Sequence, residues 1–396
     1  MNAKASVAGV PTYQLSSASE DISPFLVSFP LPVLDDLRAR LANTRWPDAE
    51  LVSDSSQGVQ LAKIKELAAY WRDIYVPTRL EQRLNAFPQF RTSIFGLGVH
   101  FIHVRSKHEH ALPIVLTHGW PGSVIEFLNV IELLTDPEAH GGTAEDAFHV
   151  VVPSLPGYGF SDKPQAVGWN TSRIANAWAV LMQRLGYDNW VAQGGDWGAA
   201  ITTALAHLKP AGLVGIHLNL AFVFPKHTPP DLAPEEQRAE NQLTWFKQNE
   251  FGYFLEQATR PQTISYGLAD SPIAQAAWIY EKFHSWSDNS GDVEEAINRD
   301  ELLDNISLYW LTGTAASSAR MYWENHPVSF SSGRIEFPVA ISVFPKEIYQ
   351  APKSWAMQTF PGLMYWNELS GGGHFAALEQ PNVFAQELRG AFRGVR

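Results

Sequence analysis

The chain contains no cysteine, which excludes disulfides, thiolate chemistry and cysteine-based metal sites. Positive charge is also scarce. Against 41 Asp and Glu stand 29 Lys and Arg, for a formal net charge of -12. No Lys/Arg run rises above a solvated face, so nucleic acid and other polyanions are excluded as partners. No apolar stretch approaches the roughly 18 residues of a membrane span, and Met1 to Ser23 lacks the apolar segment of a signal peptide. The sequence therefore reads as a cytoplasmic protein with no transmembrane anchor. Internal repeats and low-complexity tracts are absent as well.

What is present is a chain of 396 residues, 45% hydrophobic, with 14 tryptophans and 22 phenylalanines. That length supports a sizeable core divided into two or three domains or subdomains. The aromatic content points to an aromatic-lined cavity in addition to packing. The first 20 or so residues read as disordered. Helical spacing of apolar residues appears within Phe25 to Pro47 and again over Leu61 to Ile74, the latter closed by Pro77. From Arg91 the register changes. Strand-like runs at Thr92–Phe95, Val99–Arg105, Pro113–Leu116, Phe148–Val152, Trp190–Ala192, Leu213–Leu218 and Phe337–Phe344 alternate with helices, including one opened by Thr171 or Ser172. Such alternation predicts an α/β fold with a mostly parallel sheet covered by helices on both faces. Between about Phe222 and Glu324 the alternation breaks. A proline-rich opening (Pro225, Pro229, Pro230, Pro234) leads into purely helical patterns at Glu235–Phe254, Ile273–Phe283 and Asp300–Leu311. The expected organisation is an N-terminal helical extension over 1–90 packing on core and lid, core over 91–221, a helical lid over 222–324, and core again over 325–396.

Asp196 is the most informative residue. It lies in Gly194-Gly195-Asp196-Trp197-Gly198, after the apolar run Trp190-Val191-Ala192 and before a helix-forming stretch from Ala199 to Leu208. This is the context of a nucleophile elbow, where a sharp strand-to-helix turn exposes one side chain above the sheet. A serine there attacks carbonyls. A carboxylate can displace at saturated carbon and leave an ester that water later cleaves, whereas serine at the same carbon would leave a stable ether.

An aspartyl nucleophile needs a base for the water, an orienting acid and oxyanion donors, in the chain order nucleophile, acid, histidine. Among 13 histidines only His374 sits in a glycine-flanked loop, Gly371-Gly372-Gly373-His374-Phe375-Ala376-Ala377, expected after the last strand. Glu347, ending the strand predicted before it, is the candidate acid. The alternative position, after Leu213–Leu218, holds the neutral Asn219. The loop His118-Gly119-Trp120-Pro121 follows an early strand, so the backbone N–H groups of Trp120 and Trp197 are the expected oxyanion donors. His118 is expected to support the loop by hydrogen bonding.

With these pieces in order, the chain resembles the epoxide hydrolases of the α/β-hydrolase fold, in their microsomal-type branch. The resemblance runs from about Phe29 to the C-terminus. It includes Arg45-Trp46-Pro47, Tyr70-Trp71-Arg72, Leu84-Asn85-Ala86-Phe87-Pro88-Gln89-Phe90 and the run from Val152 to Ser161, besides the motifs above. It implies two lid tyrosines that grip the epoxide oxygen. Phe251-Gly252-Tyr253-Phe254 matches the first, and Ala319-Arg320-Met321-Tyr322-Trp323-Glu324-Asn325 matches the second. Residue patterns alone do not select Tyr253 and Tyr322 from the 12 tyrosines, since Tyr266, Tyr280 and Tyr309 share the lid. The resemblance further implies a small apolar epoxide and water as reactants, no metal or other cofactor, and room for a homodimer. Two alternatives stand beside it. A haloalkane dehalogenase would use the same aspartate, with the indoles of Trp120 and Trp197 holding halide; a non-catalytic member of the fold would keep only the pocket.

Overall fold

Runs of Val, Ile and Leu without polar interruption form the middle of a sheet buried on both faces, because parallel strands covered by helices have no wet side. The structure is a computed structural model that describes residues 20–224, 231–327 and 333–396. The N-terminal segment expected to be disordered lies outside the described residues as far as Ser19, as do Pro225, Pro229 and Pro230 of the proline-rich stretch. The strands are β1 (Ser23–Phe25), β2 (Gln89–Ile94), β3 (Leu97–Val104), β4 (Leu112–Thr117), β5 (Phe148–Pro153), β6 (Trp190–Gly194), β7 (Leu213–Leu218), β8 (Val339–Val343) and β9 (Leu363–Glu368). They form one nine-stranded sheet in the order β1-β2-β3-β5-β4-β6-β7-β8-β9. From β5 to β9 the neighbours are parallel; β1, β2 and β3 add an antiparallel edge.

Helices α1 (Leu31–Ala42), α2 (Leu61–Asp73) and α3 (Thr78–Asn85) form the N-terminal extension. The apolar spacing explains their buried faces, Leu34, Leu37 and Leu41 in α1 and Ile64, Leu67, Ala68 and Trp71 in α2. Pro77 does not close α2, which ends at Asp73; it stands before the first residue of α3, where a missing N–H costs nothing. The core helices α4 (Leu128–Thr135), α5 (Thr171–Arg184) and α6 (Asp196–Leu208) follow. The cap of α5 is Asn170, one residue ahead of the expected Thr171, with its side chain accepting from Arg173 N–H at 3.1 Å.

Between β7 and β8 come α7 (Pro234–Asn249), α8 (Gly252–Thr259), α9 (Pro261–Asp270), α10 (Pro272–Trp286), α11 (Arg299–Thr312) and α12 (Ala315–Glu324). The single helix expected over Glu235–Phe254 is two helices, broken at Glu250–Phe251 ahead of the weak helix former Gly252. The chain finishes with α13 (Lys353–Thr359), α14 (Ala376–Glu379) and α15 (Pro381–Phe392). The strand directly before His374 is therefore β9, and the acid candidate follows the strand before that one. β9 escaped the sequence reading because it is half-exposed and lacks alternation. No helix among the described residues is long and apolar enough to cross a membrane.

The N-terminal helices are bolted to the inserted ones. Asp304 of α11 is fully buried and accepts from Tyr75 Oη at 2.7 Å and Arg83 Nη1 at 2.6 Å, with Arg79 on the same carboxylate. Trp71 Nε1 donates to Ser307 Oγ at 2.9 Å. Removing the Asp304 carboxylate would weaken this joint, although Arg79 and Arg83 keep ion pairs with Asp300 and Glu301.

Candidate active site

β6 runs up the centre of the sheet and turns sharply into α6, so Asp196 is at once the first helical residue and the tip of the turn. Its φ is 50°, in the left-handed region, a conformation that costs a non-glycine residue about 1–3 kcal/mol. Glycines make the turn feasible: a Cβ on Gly194 would run into the Gly198 carbonyl, and one on Gly198 into the Thr117 carbonyl. The free N–H groups and dipole at the start of α6 favour a negative charge at this position.

The Trp120 N–H donates to Asp196 Oδ1 at 2.8 Å. Gly119 lies so close to the same carboxylate that a side chain there would collide with it. The carbonyls of Pro121 and Gly122 accept from Asn305 Nδ2 at 2.8 Å and Tyr309 Oη at 2.7 Å, which ties this loop to α11. His118 is buried; its Nδ1–H donates to Gly119 O at 2.9 Å, and its Nε2 accepts from Leu155 N–H at 3.2 Å. Burial pushes its pKa down to about 4. Both nitrogens are thus engaged, and this ring supports the loop. Trp197 is the second residue of α6, where a backbone N–H has no partner within the helix.

On the other side of Asp196, His374 Nε2 lies 3.6 Å from Oδ2, and His374 Nδ1–H donates to Glu347 Oε1 at 2.6 Å. Both side chains are buried. Hydrogen bonds hold the histidine loop: Lys346 N–H donates to Gly372 O at 3.1 Å, Gly372 N–H to Asp288 Oδ2 at 2.8 Å, His374 N–H to Trp286 O at 2.9 Å, and the N–H groups of Gly373 and Phe375 to Glu379, each at 2.9 Å. Gly372 takes φ 98°, and a Cβ on Gly373 would strike the Trp286 carbonyl, so both glycines are required by the backbone path. Burial opposes charging of His374, but the adjacent Glu347 and Asp196 carboxylates overcome it and hold the imidazole pKa well above its ordinary value. Asn219 accepts from Gln193 Nε2 at 2.8 Å, so the alternative acid position carries a neutral hydrogen-bonded amide.

Facing Asp196 is a cavity of about 560 Å³, walled by Phe222, Phe224, Phe246, Phe254 and Ile348 and reaching Tyr253 and Tyr322. The Tyr253 ring, from α8, stacks on the Trp120 indole with centroids 5.2 Å apart and planes 10° from parallel. Tyr322, from α12, meets Trp197 edge-on at 4.9 Å and Tyr253 at 5.8 Å. Its hydroxyl is buried and has no hydrogen-bond partner among the described residues. Burial first and the Asp196 charge among the other causes raise both phenol pKa values well above 10, so both remain donors. The competing tyrosines are elsewhere. Tyr309 is spent on Gly122 O, Tyr280 stacks on His284, and Tyr266 is 71% exposed.

Two residues here went unread in the sequence. Trp286 supplies the carbonyl that anchors His374 and packs its ring 5.0 Å from the imidazole. Lys282 is buried, with Nζ 4.6 Å from the Tyr253 ring centre and 2.7 Å from Glu281. A lysine on the same helix face as Ile279, Phe283 and Trp286 was the available signal.

Comparison with known proteins identifies the family and the fold. Residues 22–127 match the epoxide hydrolase N terminus family, and residues 113–266 match the alpha/beta hydrolase fold family. A relative from Stigmatella aurantiaca (strain DW4/3-1), named "Putative epoxide hydrolase", is 64% identical over 376 residues, covering 95% of this chain and 86% of its own. Epoxide hydrolase 1 of Sus scrofa is 35% identical over 404 residues, covering 94% of this chain and 89% of its own. The crystal structure of juvenile hormone epoxide hydrolase from the silkworm Bombyx mori superposes with a TM-score of 0.87 at 30% identity, over 95% of each chain. That of Aspergillus niger epoxide hydrolase gives 0.84 at 33%, over 96% of this chain and 98% of the other.

Proposed function

The chain belongs to the epoxide hydrolase family of the α/β-hydrolase fold, and from that premise we propose a two-step reaction through an ester on Asp196. Asp196 Oδ2 attacks one ring carbon of an apolar epoxide from the face opposite the breaking C–O bond. Tyr253 and Tyr322 donate hydrogen bonds to the departing oxygen, which takes the proton of one of them to become a hydroxyl and leaves a phenolate to be restored in the second step. Residues 222–324 act as the lid that carries both phenols. The product of this step is a hydroxyalkyl ester.

In the second step His374 takes a proton from water, and that water attacks the ester carbonyl. Oδ1, already against the Trp120 N–H, becomes the oxyanion, with the Trp197 N–H as its second donor. On collapse the imidazolium returns its proton to the departing alkoxide, a vicinal diol leaves, and the acid proton of Asp196 restores the phenol used in the first step, returning the carboxylate. Glu347 orients the imidazole and balances the imidazolium that forms. Such donors are worth about 3 kcal/mol of barrier each. The supporting observation is that Asp196 offers one oxygen to a backbone donor and the other to His374 while bordering an apolar cavity with two phenols. The cavity size falls within the range of small-molecule sites, and its phenylalanine walls favour a bulky apolar epoxide.

Mass spectrometry of His374→Gln mixed with styrene oxide tests this. An adduct equal in mass to the epoxide should accumulate on the peptide bearing Asp196. Loss of diol formation with no adduct would sink the assignment of His374 to the second step. A cytoplasmic setting belongs to the same reading and is checked by assaying cell fractions.

A further inference from the structure

Asp196, which borders the substrate cavity, also borders a second, much smaller pocket of about 20 Å³, together with His374. That volume suits one water molecule, for which about 10–15 Å³ suffices. Its wall includes Glu126, from the short 3-10 turn Val124–Phe127 that follows the oxyanion loop. The residue is part-exposed as a whole, but its carboxyl end is buried. It lies against Gly122, where an added Cβ would collide with Glu126 Oε1. The charged or titratable groups that act on it are His374, Asp196 and Glu347, and it acts in turn on Tyr309 of α11.

A water that attacks the ester must give one proton to His374. Its second O–H needs an acceptor, and pinning it there fixes the oxygen lone pair toward the ester carbon. We propose that Glu126 is this second anchor: a positioning residue that, with His374, holds the hydrolytic water in the small pocket. The proposal rests on the two-step reading above. Glu126 is distinct from the epoxide-binding residues because it borders this pocket and not the 560 Å³ cavity.

The charges favour its timing. In the resting enzyme burial, followed by the Asp196 charge, pushes the Glu126 pKa up to about 8, while His374 opposes the rise. Ester formation removes the Asp196 charge, which favours the Glu126 carboxylate when the water attacks.

Glu126→Gln and Glu126→Leu are compared with wild type in single-turnover reactions with styrene oxide, following ester and diol separately. Loss of a charge-assisted hydrogen bond should slow ester hydrolysis roughly tenfold or more, with Leu slower than Gln, while ring opening stays within about twofold. The ester should then accumulate in both variants. Hydrolysis at the wild-type rate in Glu126→Gln and Glu126→Leu, or an equal fall in both steps, would overturn the proposal. If the Leu variant does not fold, the Gln variant decides alone. Loss of diol formation with no ester in His374→Gln would instead overturn the assignment of His374 on which this proposal rests, so the two failures are distinguishable.

Discussion

On the proposed mechanism, replacing Glu347 by Gln should separate the two chemical steps. The side chain keeps its shape and loses its charge, while His374 Nδ1–H loses the carboxylate that it meets at 2.6 Å. Ile348 N–H donates to the same oxygen at 2.8 Å, and Oε2 is buried without a partner among the described residues, so solvent offers the imidazole no replacement. A hydrogen bond to a charged group contributes about 1.5–3 kcal/mol, which at 1.36 kcal/mol per decade is roughly a ten- to hundredfold slowing. That loss should fall on ester hydrolysis alone, because ring opening uses Asp196 as it stands and needs no base. The pH dependence supplies a second readout. In the resting enzyme burial opposes a charged His374, and the Glu347 and Asp196 charges overcome it. After ring opening Asp196 is a neutral ester, leaving Glu347 as the principal support for the cation. Hydrolysis needs the neutral imidazole, so its rate falls as pH drops through the ester-state pKa. Removing the Glu347 charge lets burial push that pKa down, and the acid limb moves to lower pH. Rapid-quench measurement of ester and diol from pH 5 to 9 reads both effects. A limb that stays fixed or moves up, or ring opening that slows in parallel, would refute the assignment of Glu347 as the partner of His374.

Tyr253→Phe and Tyr322→Phe should each slow ester formation by roughly a hundredfold, the double variant more, with hydrolysis of preformed ester unchanged in rapid-quench assays. Gly119→Ala drives a methyl group into the Asp196 carboxylate; ring opening should fall roughly a hundredfold while circular dichroism remains that of wild type. His217 is fully buried, and desolvation lowers its pKa to about 3. Because the unfolded ring binds a proton below about 6.5 and the folded one does not, stability should be lost as pH falls from about 6.5 toward 3, by about 2 kcal/mol at pH 5. Unfolding free energies from urea titrations at pH 7 and 5 should differ by that much less in His217→Gln.

The central strands β4 to β7 were legible because each is a short apolar run buried on both faces, and such runs have few other uses. β1 is a three-residue edge strand and β9 is half-wet, so neither carries a periodic signal. The break between α7 and α8 turns on a single glycine inside an otherwise continuous helical pattern. Asp196 and His374 could be singled out because glycines around each betray a backbone forced into an unusual path. Glu347 followed from chain order, though β9 intervenes between it and His374. The tyrosines left no such trace. Tyr253 and Tyr322 meet only because α8 and α12 cross above the sheet, and no local pattern encodes that crossing. Only family resemblance selected them. Glu126 was hidden for the opposite reason, since one acidic residue within Val124-Ile125-Glu126-Phe127-Leu128 reads as the polar edge of an amphipathic turn.

Trp120 gives its amide to Asp196 and its indole to Tyr253, so one residue is mortised to both the carboxylate and α8. If α8 swings outward to admit a guest, that ring loses its footing and the aim of Asp196 slackens with it. Substrate entry and weapon-sighting are then a single mechanical event: an open mouth disarms the carboxylate, and closure cocks it.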